Sequence, residues 1–299
     1  MTGHRSLGSI GDHPRPISLS AMDLAAVTVT SWPASPDREN EDSTATAPQV
    51  AVVVDGAGIP SSLRSGCSHS VAWYSRTLAM AFQLHLADPC VKMRDALRSA
   101  IADVVAEHEN TCDLAAGSPS ATVAAWRITG SDLEYLVLCD SSLLLSFTDG
   151  RHLEVTDDRL SQVVEPWVEA ALAKRSKGGL SISPHDFRAA SREAVESLRN
   201  TSEGFWCCHN DPAAADEALQ GSIPLAALRG VVLATDGATR GIHLLGSHTL
   251  EETILAALSG THDELLGQIR AAEDAQAQSL TLQAVKVHDD ATLVSARIL

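Results

Sequence analysis

Aromatic side chains are scarce in this 299-residue chain, at 4% of the total. The interior must therefore be filled by Ala, Val and Leu, through many small contacts and few large ones. Long apolar runs are also missing. The richest stretches are broken by Asp55 and Asp140, which excludes a membrane-spanning helix. Basic residues are outnumbered, 22 Lys and Arg against 38 Asp and Glu, for a net charge of −16. Such a surface repels phosphate backbones and acidic lipid, so neither a nucleic-acid nor a membrane partner is expected, whereas a local acidic site attracts divalent cations. The cysteines at 67, 90, 112, 139, 207 and 208 contain no Cys-x-x-Cys pair, which speaks against a zinc ribbon or a disulfide framework. Reduced thiols in a cytoplasmic protein are expected. The first thirty residues lack the apolar segment of a signal peptide, and no repeat of fixed period is visible.

Residues 1–20, rich in Pro, Gly, Ser and His, read as a flexible leader to a single domain over 21–299. Asp23–Thr30 alternates as a strand, Trp32–Pro48 reads as a polar loop, and Val50–Val54 is a continuous apolar run fitting a strand buried on both faces. Ser68–Leu86 and Val91–Glu109 carry helical spacing, with Pro89 between them. Ala121–Ile128, Leu133–Leu138 and Leu143–Phe147 are strands, with turns at Gly130-Ser131 and Asp140-Ser141, and Asp149-Gly150 is a further hairpin signal. Helices are predicted over Asp158–Ala173 and Asp186–Leu198 with a loop at Lys174–Pro184, and 166–204 is a candidate flap. Gly230–Thr235 is a second apolar strand; helices follow to Gln278, and Ala291–Ile298 closes the chain as a strand. Strands and helices come in blocks, which favours an α+β fold with antiparallel sheets over a doubly wound one.

Acidic residues recur where strands end: Glu41-Asp42 before a strand, Asp55-Gly56 after one, Asp140 in a turn, Asp236-Gly237 after another, and Asp289-Asp290 before the last. An Asp-Gly after an apolar run is by itself only a turn signal. Together these positions offer carboxylates held by a rigid sheet yet open to solvent, as Mg²⁺ and Mn²⁺ require. A glycine beside a ligand lets the backbone turn sharply.

The ordered set Asn40-Glu41-Asp42, Asp55-Gly56-Ala57-Gly58, Cys139-Asp140-Ser141, Thr235-Asp236-Gly237 and Asp289-Asp290-Ala291-Thr292 resembles the motifs of the metal-dependent, type 2C serine/threonine phosphatases in their bacterial form, over about residues 23–298. The resemblance implies an α-β-β-α sandwich of two antiparallel sheets flanked by helices. It implies two Mn²⁺ or Mg²⁺ ions bridged by Asp55, with the Gly56 carbonyl, Asp236 and Asp289 completing the shell. Glu41 and Asp42 would ligate directly or through water, and Asp140 would serve a third ion. A metal-bridging hydroxide would attack phosphoserine or phosphothreonine of a phosphoprotein substrate.

Three positions depart from that pattern. Asp37 stands where the family has its phosphate-binding arginine, with Arg38 one place late; Ile59 follows Gly58; and Cys139 replaces a glycine. Arg38 is the candidate to take over the phosphate. Ala57 replaces the histidine that acts as general acid in some members. These departures motivate an alternative, a catalytically weak or inactive relative that regulates by binding a phosphoprotein, and a small-molecule phosphatase shares the same chemistry. Outside the motifs, Cys67 with His69, and the run Cys207-Cys208-His209, fall short of the four ligands of a structural zinc site. His288 beside Asp289 is a candidate proton donor, and Lys174–Gly179 reads as a solvated basic loop.

Overall fold

The run Val50 to Val54 divides its side chains between two different cores, and the architecture follows from that division. The computed structural model describes residues 26–58, 66–178, 181–279 and 286–299. Their strands are β1 (Thr28–Trp32), β2 (Ser43–Ala47), β3 (Val50–Ala57), β4 (Ser120–Thr129), β5 (Asp132–Leu138), β6 (Ser142–Phe147), β7 (His152–Thr156), β8 (Leu219–Pro224), β9 (Leu228–Ala234) and β10 (Ala291–Arg297). Their α-helices are α1 (Val71–Leu86), α2 (Met93–His108), α3 (Arg159–Lys177), α4 (Pro184–Leu198), α5 (Asp236–His243), α6 (Leu250–Leu258) and α7 (His262–Gln276).

One antiparallel sheet runs β2-β3-β4-β5-β8 and the other β1-β10-β9-β6-β7. Val50, Val52 and Val54 pack with Leu78, Phe82 and Leu97 of α1 and α2, while Ala51 and Val53 face Val231, Leu233 and Val294 of the other sheet. On β9 the alternation repeats outward, with Val232 and Ala234 meeting Ile254, Leu266 and Ile269 of α6 and α7. The expected α-β-β-α sandwich is the observed fold. Three apolar layers, each filled by alternate residues of the same strands, bury β3, β4 and β9 on both faces. Trp126 and Phe82 are among the few rings inside, and aliphatic side chains supply the rest.

Several elements differ from the sequence expectation. The loop assigned to Trp32–Pro48 contains β2, an edge strand of Ser, Thr and Ala whose half-exposed pattern has no apolar signal. The hairpin signal at Asp149-Gly150 is met by β6 and β7, which pair across it, but β8 was not expected: it is an edge strand interrupted by Gly221, on which Tyr135 lies, and ending in Pro224. Helix α3 continues through Lys177, so Lys174, Arg175 and Lys177 lie in its last turn, where cations favour the negative helix end. Asp140 does not sit in a hairpin, because β5 and β6 belong to opposite sheets and the chain crosses between layers there. The strand expected over Asp23–Thr30 is found at Thr28–Trp32. The leader 1–20 and Asp23 lie outside the described residues.

Candidate metal centre

The acidic positions converge because four segments are stitched together by their own polar groups. The Gly56 N–H donates to the Glu41 carbonyl at 3.2 Å, and the Ser75 hydroxyl of α1 donates to the same oxygen at 2.5 Å. Asp290 accepts from the Ala34 N–H at 2.6 Å and the Glu41 N–H at 2.8 Å, which latches the loop before β2 to the segment before β10. Asp42 Oδ2 accepts the hydroxyls of Thr235 at 2.9 Å and Thr292 at 2.7 Å, and the Thr292 N–H donates to Thr235 Oγ1 at 2.9 Å. Residues 40–42, 55–56, 235–237 and 289–292 thus form one knot at the ends of β3, β9 and β10.

The two glycines beside Asp55 and Asp236 serve close approach. Neither has positive φ, so the sharp turn expected of them is absent. A Cβ at Gly56 would stand 2.5 Å from the Glu41 carbonyl oxygen and 2.6 Å from Val71 Cγ1. A Cβ at Gly237 would overlap the Asp290 carbonyl oxygen and lie 2.9 Å from its carbon. Only hydrogen fits at either position. By contrast, Cys139 does adopt a positive φ of 66°, the conformation that glycine takes freely. Its strain, of order 1 kcal/mol, is held by the N–H donated to Asp157 Oδ2 at 3.2 Å and by burial of the thiol with Phe205 and Cys207.

The electrostatics of the knot are self-opposing. Asp55 is pushed well above the usual carboxylate range by burial, then by the charges of Asp42, Asp236, Asp289 and Asp140. Burial raises Asp42 to about 8 against the help of its two threonine hydroxyls, with Asp290 and Asp236 adding repulsion. Asp140 is raised to about 7 by burial and the charge of Asp236. Asp236 is raised by burial and Asp289, eased by a side-chain hydrogen bond with Asp55 and by Lys286 and Arg240. Two carboxyls bond to each other only by sharing a proton. Glu41 is raised too, by burial first, with Lys286 opposing.

An effective penalty of several kcal/mol for each unpaired buried ion stands against a total stability of about 5–15 kcal/mol. The cluster must therefore hold protons or a cation. Asp42 Oδ1 is buried and accepts no hydrogen bond among the described residues, which leaves a lone pair for a ligand. An all-oxygen donor set with an orphaned carboxylate atom fits a hard divalent cation.

Lys286 was not anticipated. Its Nζ donates to Asp289 Oδ1 at 2.7 Å; burial disfavours its charge, but Asp289, Asp55 and Asp236 more than restore it, raising its pKa. Asp290, Thr235 and Thr292 were also missed as a latch, although all three lie inside the motifs that carry the acidic positions. Arg38 is exposed within electrostatic reach of Glu41, and no ion pair of its guanidinium occurs among the described residues. His288 is drawn off to Asp274 at 2.8 Å, so it is not placed to donate a proton at the knot. Cys207 and Cys208 are buried with raised thiols, Cys208 bridging to Ala121 of β4, and His209 pairs with Ser118 at 3.0 Å, so this trio is core structure.

The family described as Protein phosphatase 2C matches residues 37–283 of the chain. Among solved structures, the serine/threonine phosphatase PstP/Ppp of Mycobacterium tuberculosis is 18% identical, with a TM-score of 0.54 over 92% of this chain and 98% of that one. The catalytic domain of PstP in complex with two manganese ions is also 18% identical, with a TM-score of 0.52 over 92% and 99%. The serine/threonine phosphatase Stp1 of Staphylococcus aureus is 14% identical, with a TM-score of 0.53 over 100% and 99%. These structures share the fold. The comparison with curated proteins finds no match. No helix among the described residues is long and apolar enough to cross a membrane.

Proposed function

Because the chain belongs to the protein phosphatase 2C family, we propose that it hydrolyses phosphoserine and phosphothreonine on proteins at a centre of two Mn²⁺ or Mg²⁺ ions. Asp55, the Gly56 carbonyl, Asp236 and Asp289 would hold the pair, Glu41 and Asp42 would ligate directly or through water, and Asp140 would serve a third ion. The observation that carries this reading is the cluster of carboxylates, raised by burial first and then by one another's charge, around the orphaned Asp42 oxygen. When bound, such ions supply an acidified water and neutralise phosphoryl charge. The manganese-bound PstP domain supports the choice of metal.

The chain's own residues do the rest. Asp290 and the two threonines keep the carboxylates in register without spending them on solvent. Arg38, exposed beside Glu41, grips the phosphoryl oxygens of the substrate bidentately. The chain over 21–299 acts as one domain, with 166–204 as its flap. Here α3 and α4 pack on each other through Val168, Ala190 and Ala194, and touch the body beside Cys139, the neighbour of Asp140. That contact supports reading the segment as a flap beside the approach of a protein substrate.

The test is phosphate release from a phosphothreonine peptide with Mn²⁺ and with a chelator. Turnover that needs the metal is expected, and Arg38→Ala should lower kcat/KM roughly ten- to a hundredfold, the scale of one hydrogen bond to a charged group. Metal-independent turnover would overturn the proposal. Manganese binding without turnover on any phosphopeptide would move the protein to the regulatory class.

A further inference from the structure

A second donor cluster, chemically unlike the first, lies at the junction of two helix ends. Cys67 and His69 precede α1, and Cys112 follows α2, 45 residues along the chain. The two sulfurs are 3.3 Å apart, and His69 Nδ1 lies 3.4 Å from Cys67 Sγ and 3.3 Å from Cys112 Sγ. The backbone enforces this meeting. The Gly66 carbonyl accepts the Asp113 N–H at 2.7 Å, and a Cβ at Gly66 would collide with the Asp113 carbonyl and lie 2.5 Å from that of Gly117. The two segments therefore run in direct contact with no side chain between them. The His69 ring leans on Trp73 at 4.1 Å, which fixes its plane.

Beside the triangle stands His108, in the last turn of α2 and 1% exposed. Both of its ring nitrogens are buried and have no hydrogen-bond partner among the described residues, and its ring centroid is 5.5 Å from that of His69. A buried imidazole with neither nitrogen satisfied is uncommon.

Two thiolates and an imidazole are the donors of zinc, not of the manganese or magnesium favoured by carboxylates. Tetrahedral zinc, with Zn–S about 2.3 Å and Zn–N about 2.0–2.1 Å, holds its sulfurs about 3.8 Å apart and sulfur from nitrogen by about 3.5 Å. The observed spacings need to open by only a few tenths of an ångström. We propose that Cys67, His69 and Cys112 supply three of the four ligands of a zinc ion that clamps the start of α1 to the end of α2, separate from the aspartate centre, with the fourth position left to water. Zinc displaces one proton from each thiol on binding, so two protons leave for each ion taken up.

Cobalt is the probe, because thiolate ligation gives a ligand-to-metal charge-transfer absorption that the all-oxygen aspartate centre cannot produce. Chelator-treated full-length chain, kept reduced and titrated with Co²⁺, should develop that absorption to one equivalent, and Zn²⁺ should bleach it. Cys67→Ser and Cys112→Ser should abolish it, whereas Cys90→Ser, at an exposed cysteine elsewhere, and Asp55→Asn should leave it intact. Circular dichroism checks that each variant folds. If a serine variant does not, His69→Ala keeps both thiols and should lower cobalt affinity at least about tenfold. Absence of the absorption in folded wild type, or its survival in the Cys67→Ser/Cys112→Ser double variant, would overturn the site. So would loss of both thiols to a disulfide under mild oxidation in a chain that takes up no zinc, which would make the pair a redox switch.

Discussion

Asp55-Gly56 and Asp236-Gly237 are near twins in the sequence, each an apolar run closed by the same dipeptide, yet they are built differently. Asp55 and Gly56 stay inside β3, paired with Thr122 and Ala121 of β4. Asp236 leaves β9 and opens α5, so its carboxylate sits at the positive end of a helix. Asp55 faces four other carboxylates, whereas Asp236 has Lys286 and Arg240 to offset its neighbours. What the halves share is a passing backbone, the Glu41 carbonyl over Gly56 and the Asp290 carbonyl over Gly237. The common dipeptide therefore reflects one requirement, an acid next to a position with no room for a side chain, met by two backbone conformations.

The sharpest way to break the comparison is to neutralise each acid. Asp55→Asn and Asp236→Asn should each cost roughly two or more orders of magnitude in turnover, the scale of losing a metal-centre charge. In chelator, both should melt higher than wild type, and Asp55→Asn by more, because it relieves more repulsion. Retained activity in either variant would end the two-ion assignment, and equal melting shifts would remove the electrostatic difference between the halves.

Filling the glycines comes next. Gly237→Ala meets only backbone atoms of 290 and 291, whereas Gly56→Ala also meets the side chain of Val71, which can rotate. Urea unfolding should show Gly237→Ala losing about 2–4 kcal/mol and Gly56→Ala less, within the range of buried overpacking. The reverse order would mean that the loop before β2 is the stiffer neighbour.

Proton uptake sharpens the picture further. A carboxyl whose folded pKa is raised binds a proton in the fold that the unfolded chain has released. Its contribution is thus full below about pH 4, the unfolded value, and is lost as pH rises to about 7 for Asp140 and about 8 for Asp42. Melting temperature in chelator should therefore fall between about pH 4 and 8, and saturating Mn²⁺ should flatten the slope. Asp42→Asn should flatten it up to the higher limit and Asp140→Asn only to the lower. A slope unchanged by manganese would place the titrating groups outside the centre.

The smallest effect is expected at Lys286. Its ammonium competes for Asp289 but is half-exposed, so the pair is worth no more than about 1 kcal/mol. Lys286→Ala should tighten manganese binding a few-fold in calorimetry. Weaker binding would make Lys286 an organiser of the site.

Legibility varied with the physics of each segment. Val50–Val54 and Gly230–Thr235 could be read because a strand buried on both faces must be apolar throughout, and α1 and α2 because one stripe of each meets a core. Strands β2 and β8 lie at sheet edges, where pairing comes from a neighbour and half of each strand faces water, so their sequences carry little signal, whereas the edge strand β7 was announced only by the Asp149-Gly150 turn before it. Asp140 was legible as an acid in a motif but not as a crossover between sheets, because a turn within a sheet and a turn between sheets use the same residue types.

By itself the sequence pointed to the family, since its acidic motifs stand in the order that the phosphatase resemblance requires, each next to an apolar strand. It also marked Val50–Val54 as buried on both faces, because the run is apolar throughout, while the layered sandwich was what the resemblance implied. Only the tertiary structure decided that Asp290 is a latch, that Lys286 enters the acidic cluster and that Cys112 meets Cys67 and His69. Each of those is a contact between segments far apart in the chain, and neither local propensity nor spacing along the sequence encodes which distant backbone passes close enough to touch.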